Sequence, residues 1–335
     1  MTASNATLVT GATGFIGSRL VERLRERNTS MHVLVRTSVA GERFRALGCK
    51  VFLGDITLPH SLDSAVTGCK TVIHCAVGGS DLQQAREINV EGTLSLIDAA
   101  ASLGVRRVVH VSSVVAHGRD WPLVLDESAP LHFKGDHYAV SKAESERAGF
   151  ERARSTGIEF VVVRPTIVYG PRSGRILVDL ARVNLERVKL IGSGDGLANL
   201  IYLEDLVDGL LAAAEHPQAA NEAFLMSGES PVPWSDYFAE LARMCGKPPP
   251  PSIGVSRAHA EAWWAKWHFR FTRYPRRIED TDFALMCQSS AVSIAKARRL
   301  LGFAPRVALV EGMRRTEAWL RATGFLAPLG GELAA

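Results

Sequence analysis

The chain has 335 residues, 47% of them apolar, enough for one large domain or two smaller ones with packed cores. Its 39 Lys and Arg against 35 Asp and Glu give an excess too small and dispersed to signal a nucleic-acid surface, and no run of 18 apolar residues marks a membrane span. Five cysteines without a CxxC pair suggest neither a metal site nor a disulfide framework, so the expectation is a cytoplasmic protein without stable membrane insertion.

In chain order, the β-branched runs TLVT, MHVLVR, KVFLGD, TVIHCA, RRVVHVSS and FVVVRP alternate with amphipathic segments such as the one that puts Leu20, Val21 and Leu24 on one face. That alternation predicts an α/β fold, a doubly wound parallel sheet of Rossmann type over residues 1–165. Beyond Pro165 the pattern shortens. It predicts helices over Leu177 to Arg187, Asp236 to Cys245, Arg257 to Phe269, Ile294 to Leu301 and Val310 to Ala322, with strands near Val188 to Leu190 and Ala223 to Met226. Four prolines at 248–251 break the chain. Residues 166–328 are expected to form a smaller, mostly helical substrate lobe, with some segments free to return to the first domain, and 329–335 a tail. The aromatic-basic stretch 263–274 reads as a lobe helix rather than a membrane-surface helix, because its aromatics do not keep to one face.

The first motif is a strand running into Gly11, Gly14 and Gly17 and then directly into a helix. Glycine lets the backbone turn tightly and approach a pyrophosphate, whose charge meets free N–H groups at the helix start. Thr13, Phe15 and Ile16 lie in the same turn. The spacing is GxxGxxG, not the GxGxxG of the usual dinucleotide fingerprint. Arg36 ends the second strand, where an acid would select NAD; with the hydroxyls of Thr37 and Ser38 it favours the 2′-phosphate of NADP, NAD staying possible. Asp55 and Ile56 close the third strand beside the expected adenine site, and Cys75, Ala76 and Val77 close the fourth. His74 reads as a core residue.

Tyr138 and Lys142, at i and i+4, share a helix face, with Ser113 at the end of the fifth strand. An ammonium beside the phenol would lower the phenol pKa and fit it to exchange a proton with a carbonyl oxygen while nicotinamide exchanges hydride. The segments TGATGFIG, GDIT, VIHCAV, NVEGT, VSS, YxxxK and RPTIVYGP occur in the order of the extended short-chain dehydrogenases/reductases, which the chain resembles through most of its length. Within that family the pattern is similar to the 3β-hydroxysteroid dehydrogenase and dihydroflavonol reductase branch. The resemblance implies catalytic roles for Ser113, Tyr138 and Lys142, with Lys142 also on the nicotinamide ribose and Pro165 and Thr166 bordering the nicotinamide. It further implies structural or near-cofactor places for Asn89 and Gly92, and a homodimer.

Two departures bear on the branch. Val114 and Val115 follow the serine where dehydratases carry an acid, and Ile167 stands where nucleotide-sugar enzymes carry an asparagine for the diphosphate. Arg172 and Arg175 could still meet an anion. The expected activity is oxidoreduction of a small ketone or alcohol substrate; the alternatives are a nucleotide-sugar epimerase and a non-catalytic dinucleotide-binding regulator.

Overall fold

The computed structural model describes residues 5–173, 188–261, 263 and 286–326. Arg175, the expected helix over 177–187, residues 264–274 of the aromatic-basic stretch and the tail 329–335 lie outside the described residues.

Seven strands build the main sheet: β1 (Ala6–Thr10), β2 (Met31–Val35), β3 (Lys50–Leu53), β4 (Cys69–His74), β5 (Arg107–Val111), β6 (Glu159–Pro165) and β7 (Ala223–Met226). Their order is β7-β6-β5-β4-β1-β2-β3, with every neighbouring pair parallel. Because β1, β2 and β5 are buried along their whole length, alternate residues serve opposite faces. Val9, Val33 and Val109 enter one core with Leu20, Leu24 and Leu206, whereas Leu8, Val72 and Val108 enter the other with Leu62, Leu96 and Ile97. The helices follow from those cores: α1 (Phe15–Glu26), α2 (Ser38–Ala46), α3 (Gly92–Ser102), α4 (His137–Thr156) and α5 (Leu203–Glu215).

The seventh strand returns from the second half of the chain, pairing Phe224 with Val163 and Leu225 with Arg164, so the sheet domain does not end at Pro165. Outside it, Tyr169, Leu200, Tyr202, Trp234, Tyr237, Leu241, Met313 and Leu320 form a separate core. It joins α6 (Trp234–Cys245) to α7 (Leu309–Ala322), two helices found within two residues of where their periodicity predicts them. Strand order reverses between β1 and β4, and the crevice beyond their carboxyl ends is where a doubly wound sheet binds its ligand.

Candidate active site

A groove of about 510 Å³ opens at that reversal, within the range of small-molecule sites. Gly11, Thr13 and Gly14 form one wall, and Cys75, Ala76 and Val77 face them. Gly11 has φ +67°, and a Cβ there would lie 2.5 Å from Ala76 N; a Cβ on Gly17 would lie 2.3 Å from Gly11 O. No side chain caps Gly14 at the start of α1, leaving the first-turn N–H groups of Phe15, Ile16 and Gly17 without a side-chain acceptor. A backbone cradle closed to side chains, at an uncapped helix start, fits the pyrophosphate of a dinucleotide.

Arg36, Asp55 and Ile56 line the far end of the groove. Thr37 caps α2, its Oγ1 accepting from Ala40 N at 3.3 Å, and Ser38 opens that helix. Asp55 Oδ1 accepts from Thr57 N and Thr57 Oγ1, both at 3.0 Å, so the carboxylate organises its own turn. Gln84, Glu87 and Ile88, which were not singled out from the sequence, add the remaining wall. Asn89 sits behind it in a π-turn (Glu87–Glu91), donating to Gly78 O at 3.1 Å and to Ser141 Oγ at 2.9 Å. It thereby ties the groove to α4.

Ser113, Tyr138 and Lys142 come together, with Lys142 in electrostatic reach of Cys75 in the groove wall. Tyr138 opens α4 behind an Asp136 cap, and its phenol is within hydrogen-bonding reach of Ser113 Oγ. The Lys142 ammonium lies 6.0 Å from the Tyr138 ring and donates to Val111 O at 2.7 Å. One sequence expectation is corrected here: desolvation raises the Tyr138 phenol pKa above its ordinary value, outweighing the lowering by Ser113. The residue as a whole remains 38% exposed. Lys142 is the strongly perturbed member. Burial pushes it down to about 8, against the opposing pull of Glu146 and Cys75.

Beneath Lys142 lie neutral histidines. Thr10 Oγ1 donates to His74 Nδ1 at 2.6 Å, and because Thr93 Oγ1 donates to Asn89 O, His74 Nε2 donates to Thr93 at 3.0 Å. Burial lowers His74 to about 3 and His110 well below its ordinary value, as expected of core groups. Beside them, the Glu146 carboxylate accepts from Arg164 Nη2 at 2.6 Å, from Arg164 Nε at 2.9 Å and from Ser112 Oγ. Arg164 Nη1 also meets His117 Nε2 at 3.1 Å. Sequence reasoning passed over Glu146, since one acid on a charged helix reads as solvent-facing.

A small apolar pocket of about 70 Å³ lies just beyond the ends of β5 and β6. Val114 and Val115, directly after Ser113, line it with Trp121, Ile167 and Leu197, while Thr166, Arg119, Asn199 and Gln288 supply its polar atoms. Asn199 is already committed: its Nδ2 donates to Ser290 O and its Oδ1 accepts from Val292 N, both at 2.9 Å. Pro165, the last residue of β6, pairs with Met226 and does not line the pocket. Arg172 donates to Glu22 at 2.7 Å and so spends its charge on α1.

Among the described residues no cluster of His, Cys, Asp and Glu could hold a metal, and no helix is long and apolar enough to cross a membrane.

Residues 7–226 match the NAD dependent epimerase/dehydratase family. The chain is 28% identical to a UDP-glucose 4-epimerase of Vibrio cholerae over 94% of its own length and 95% of that protein's. It is 31% identical to the 4-hydroxy-2-methyl-3-oxo-4-farnesyl-3,4-dihydroquinoline-1-oxide ketoreductase of Stigmatella aurantiaca, over 92% and 94% respectively. The crystal structure of a UDP-glucose 4-epimerase from Thermotoga maritima shares the fold at TM-score 0.75 and 23% identity, over 95% of this chain and 99% of that one.

Proposed function

This chain belongs to the NAD dependent epimerase/dehydratase family of extended short-chain dehydrogenases/reductases, and from that premise we propose that it catalyses net oxidoreduction of an apolar ketone or alcohol with NADP(H). The observation that carries the choice of branch is the apolar pocket beside Ser113: Val114, Val115 and Ile167 offer neither a dehydratase acid nor a diphosphate-binding amide. Asn199, the one asparagine in its lining, is consumed by backbone partners. The ketoreductase relative is consistent with this reading.

The residues divide the work. Gly11, Thr13, Gly14, Phe15, Ile16 and Gly17 would hold the pyrophosphate, and Asp55, Ile56, Cys75, Ala76 and Val77 bound the rest of the groove; by the family resemblance Pro165 and Thr166 would border the nicotinamide. Arg36, exposed at the groove's end with Thr37 and Ser38 behind it, meets a 2′-phosphate. When bound, the nicotinamide supplies or accepts hydride. Tyr138 passes the proton to or from the substrate oxygen, and Ser113 hydrogen-bonds that same oxygen. The raised phenol pKa keeps Tyr138 protonated, the form a reduction needs at its start. Lys142 stabilises the phenolate once the proton has left and binds the nicotinamide ribose. By the family resemblance the protein works as a homodimer, and its cysteine usage fits the reducing cytoplasm.

Incubating hydroxysteroids, flavonoid ketones and nucleotide sugars with NADP(H) or NAD(H), while following nicotinamide absorbance and product stereochemistry together, tests the proposal. One cofactor consumed per product is the expected result. The epimerase of Vibrio cholerae makes the competing outcome concrete: isomerised nucleotide sugar without net absorbance change would replace the reductase reading.

A further inference from the structure

We infer that Glu146 is a positioning residue of the active site, its one buried carboxylate fixing both Lys142 and Ser113. The inference rests on the assignment of Tyr138, Lys142 and Ser113 to the proton transfer, and not on the substrate.

The geometry is the argument. Glu146 lies one helical turn after Lys142 on the same face of α4 and is 0% exposed. Its carboxylate accepts the Ser112 hydroxyl, and Ser112 stands between the two residues that matter. Val111, before it, offers the carbonyl that accepts the Lys142 ammonium at 2.7 Å; Ser113, after it, carries the catalytic hydroxyl. Holding Ser112 therefore fixes the neighbours on both sides. Arg164 grips the same carboxylate through two nitrogens and immediately precedes Pro165 and Thr166, while its contact with His117 anchors the turn Val114–His117 that carries the pocket valines. One ion pair thus joins α4, the ends of β5 and β6, and the pocket turn.

Stability alone does not account for such a pair. Apolar residues of similar volume serve a core about as well as a buried ion pair, because desolvation offsets most of the attraction. What apolar residues cannot do is place negative charge beside a buried ammonium. Lys142 faces Tyr138 and Glu146 from its own helix, His74 and Cys75 from the end of β4, and His110 from β5; Arg164 and His117 lie behind Glu146. His74 and His110 are neutral and the Cys75 thiol is pushed up to about 12, so among these groups Glu146 is the one carboxylate opposing the loss of the Lys142 proton.

The test reads Lys142 directly and needs no substrate, so it stands or falls independently of the reductase reading. Full-length protein with lysines labelled by ¹³C at Cε is titrated by NMR, the Lys142 signal being assigned through Lys142→Met. Wild type is expected to titrate near pH 8. Glu146→Gln should lower that midpoint by about one unit or more, the usual scale for removing a neighbouring opposite charge. Ser112→Ala, which keeps the carboxylate charge but releases its hold on the end of β5, should move the midpoint by less than Glu146→Gln does. The double variant Glu146→Gln with Arg164→Met carries no buried charge pair and guards against misfolding of the single one; it should also shift downward, by less, since Arg164 lies beyond Glu146. An unmoved midpoint in either Glu146 variant overturns the inference. So does failure of both variants to fold, which would make the pair structural.

Discussion

The glycine-lined groove and the apolar pocket share no lining residue and are made in different ways. The groove's glycine wall is backbone: glycines that cannot take a Cβ, an uncapped helix start and strand ends from β1 and β4. The pocket is made of side chains from separate segments, Val114 to Trp121, Thr166 and Ile167, Leu197 to Asn199, and Gln288, held together by short pairings such as Ala291 with Val124. A backbone cradle tolerates little and recognises a group common to every dinucleotide. A side-chain pocket can change its ligand one residue at a time.

If that contrast is right, the largest effect comes from a single methyl in the groove. Gly17→Ala places a Cβ against Gly11 O and should lower dinucleotide affinity on the order of a hundredfold or more, since several charged hydrogen bonds of about 1.5–3 kcal/mol each are displaced together. Cofactor fluorescence titration measures this, and near-normal affinity would mean that the cradle is not the pyrophosphate site. Next is Arg36, the cationic side chain at the groove's end. Wild type should bind NADPH over NADH by about tenfold to a hundredfold, one charged hydrogen bond's worth, and Arg36→Asp should reverse the order; equal wild-type affinities would remove Arg36 from cofactor choice. The smallest change belongs to the pocket. Ile167→Asn should raise KM for an apolar substrate about tenfold, with cofactor affinity unchanged, in keeping with the modest free energy of one apolar contact. Steady-state kinetics beside cofactor titration would expose a pocket that is not separable from the groove.

The same contrast explains what could be read from the residues. Glycine spacing before a helix, the i, i+4 pairing of Tyr138 and Lys142, and the β-branched runs are local patterns, and each was legible. Ala223–Met226 was legible as a strand but not as a neighbour of Glu159–Pro165, because parallel pairing across nearly 60 residues leaves no local mark. Trp121, Leu197, Asn199 and Gln288 converge only through the fold. The sense of the Tyr138 perturbation was not legible either: the i, i+4 ammonium shows in the residues but burial does not, and burial is the larger influence.

The central claim is that binding resides in the groove and chemistry in Tyr138. Tyr138→Phe removes the phenolic proton and leaves the ring, the glycine turn and Lys142 in place. Dinucleotide affinity and turnover should be measured on the same samples, with a substrate that the redox panel identifies. The account predicts affinity within about twofold of wild type and turnover lower by about 10²–10⁴, the range of a lost general acid or base. Turnover near the wild-type rate, or affinity and turnover falling together, would contradict it.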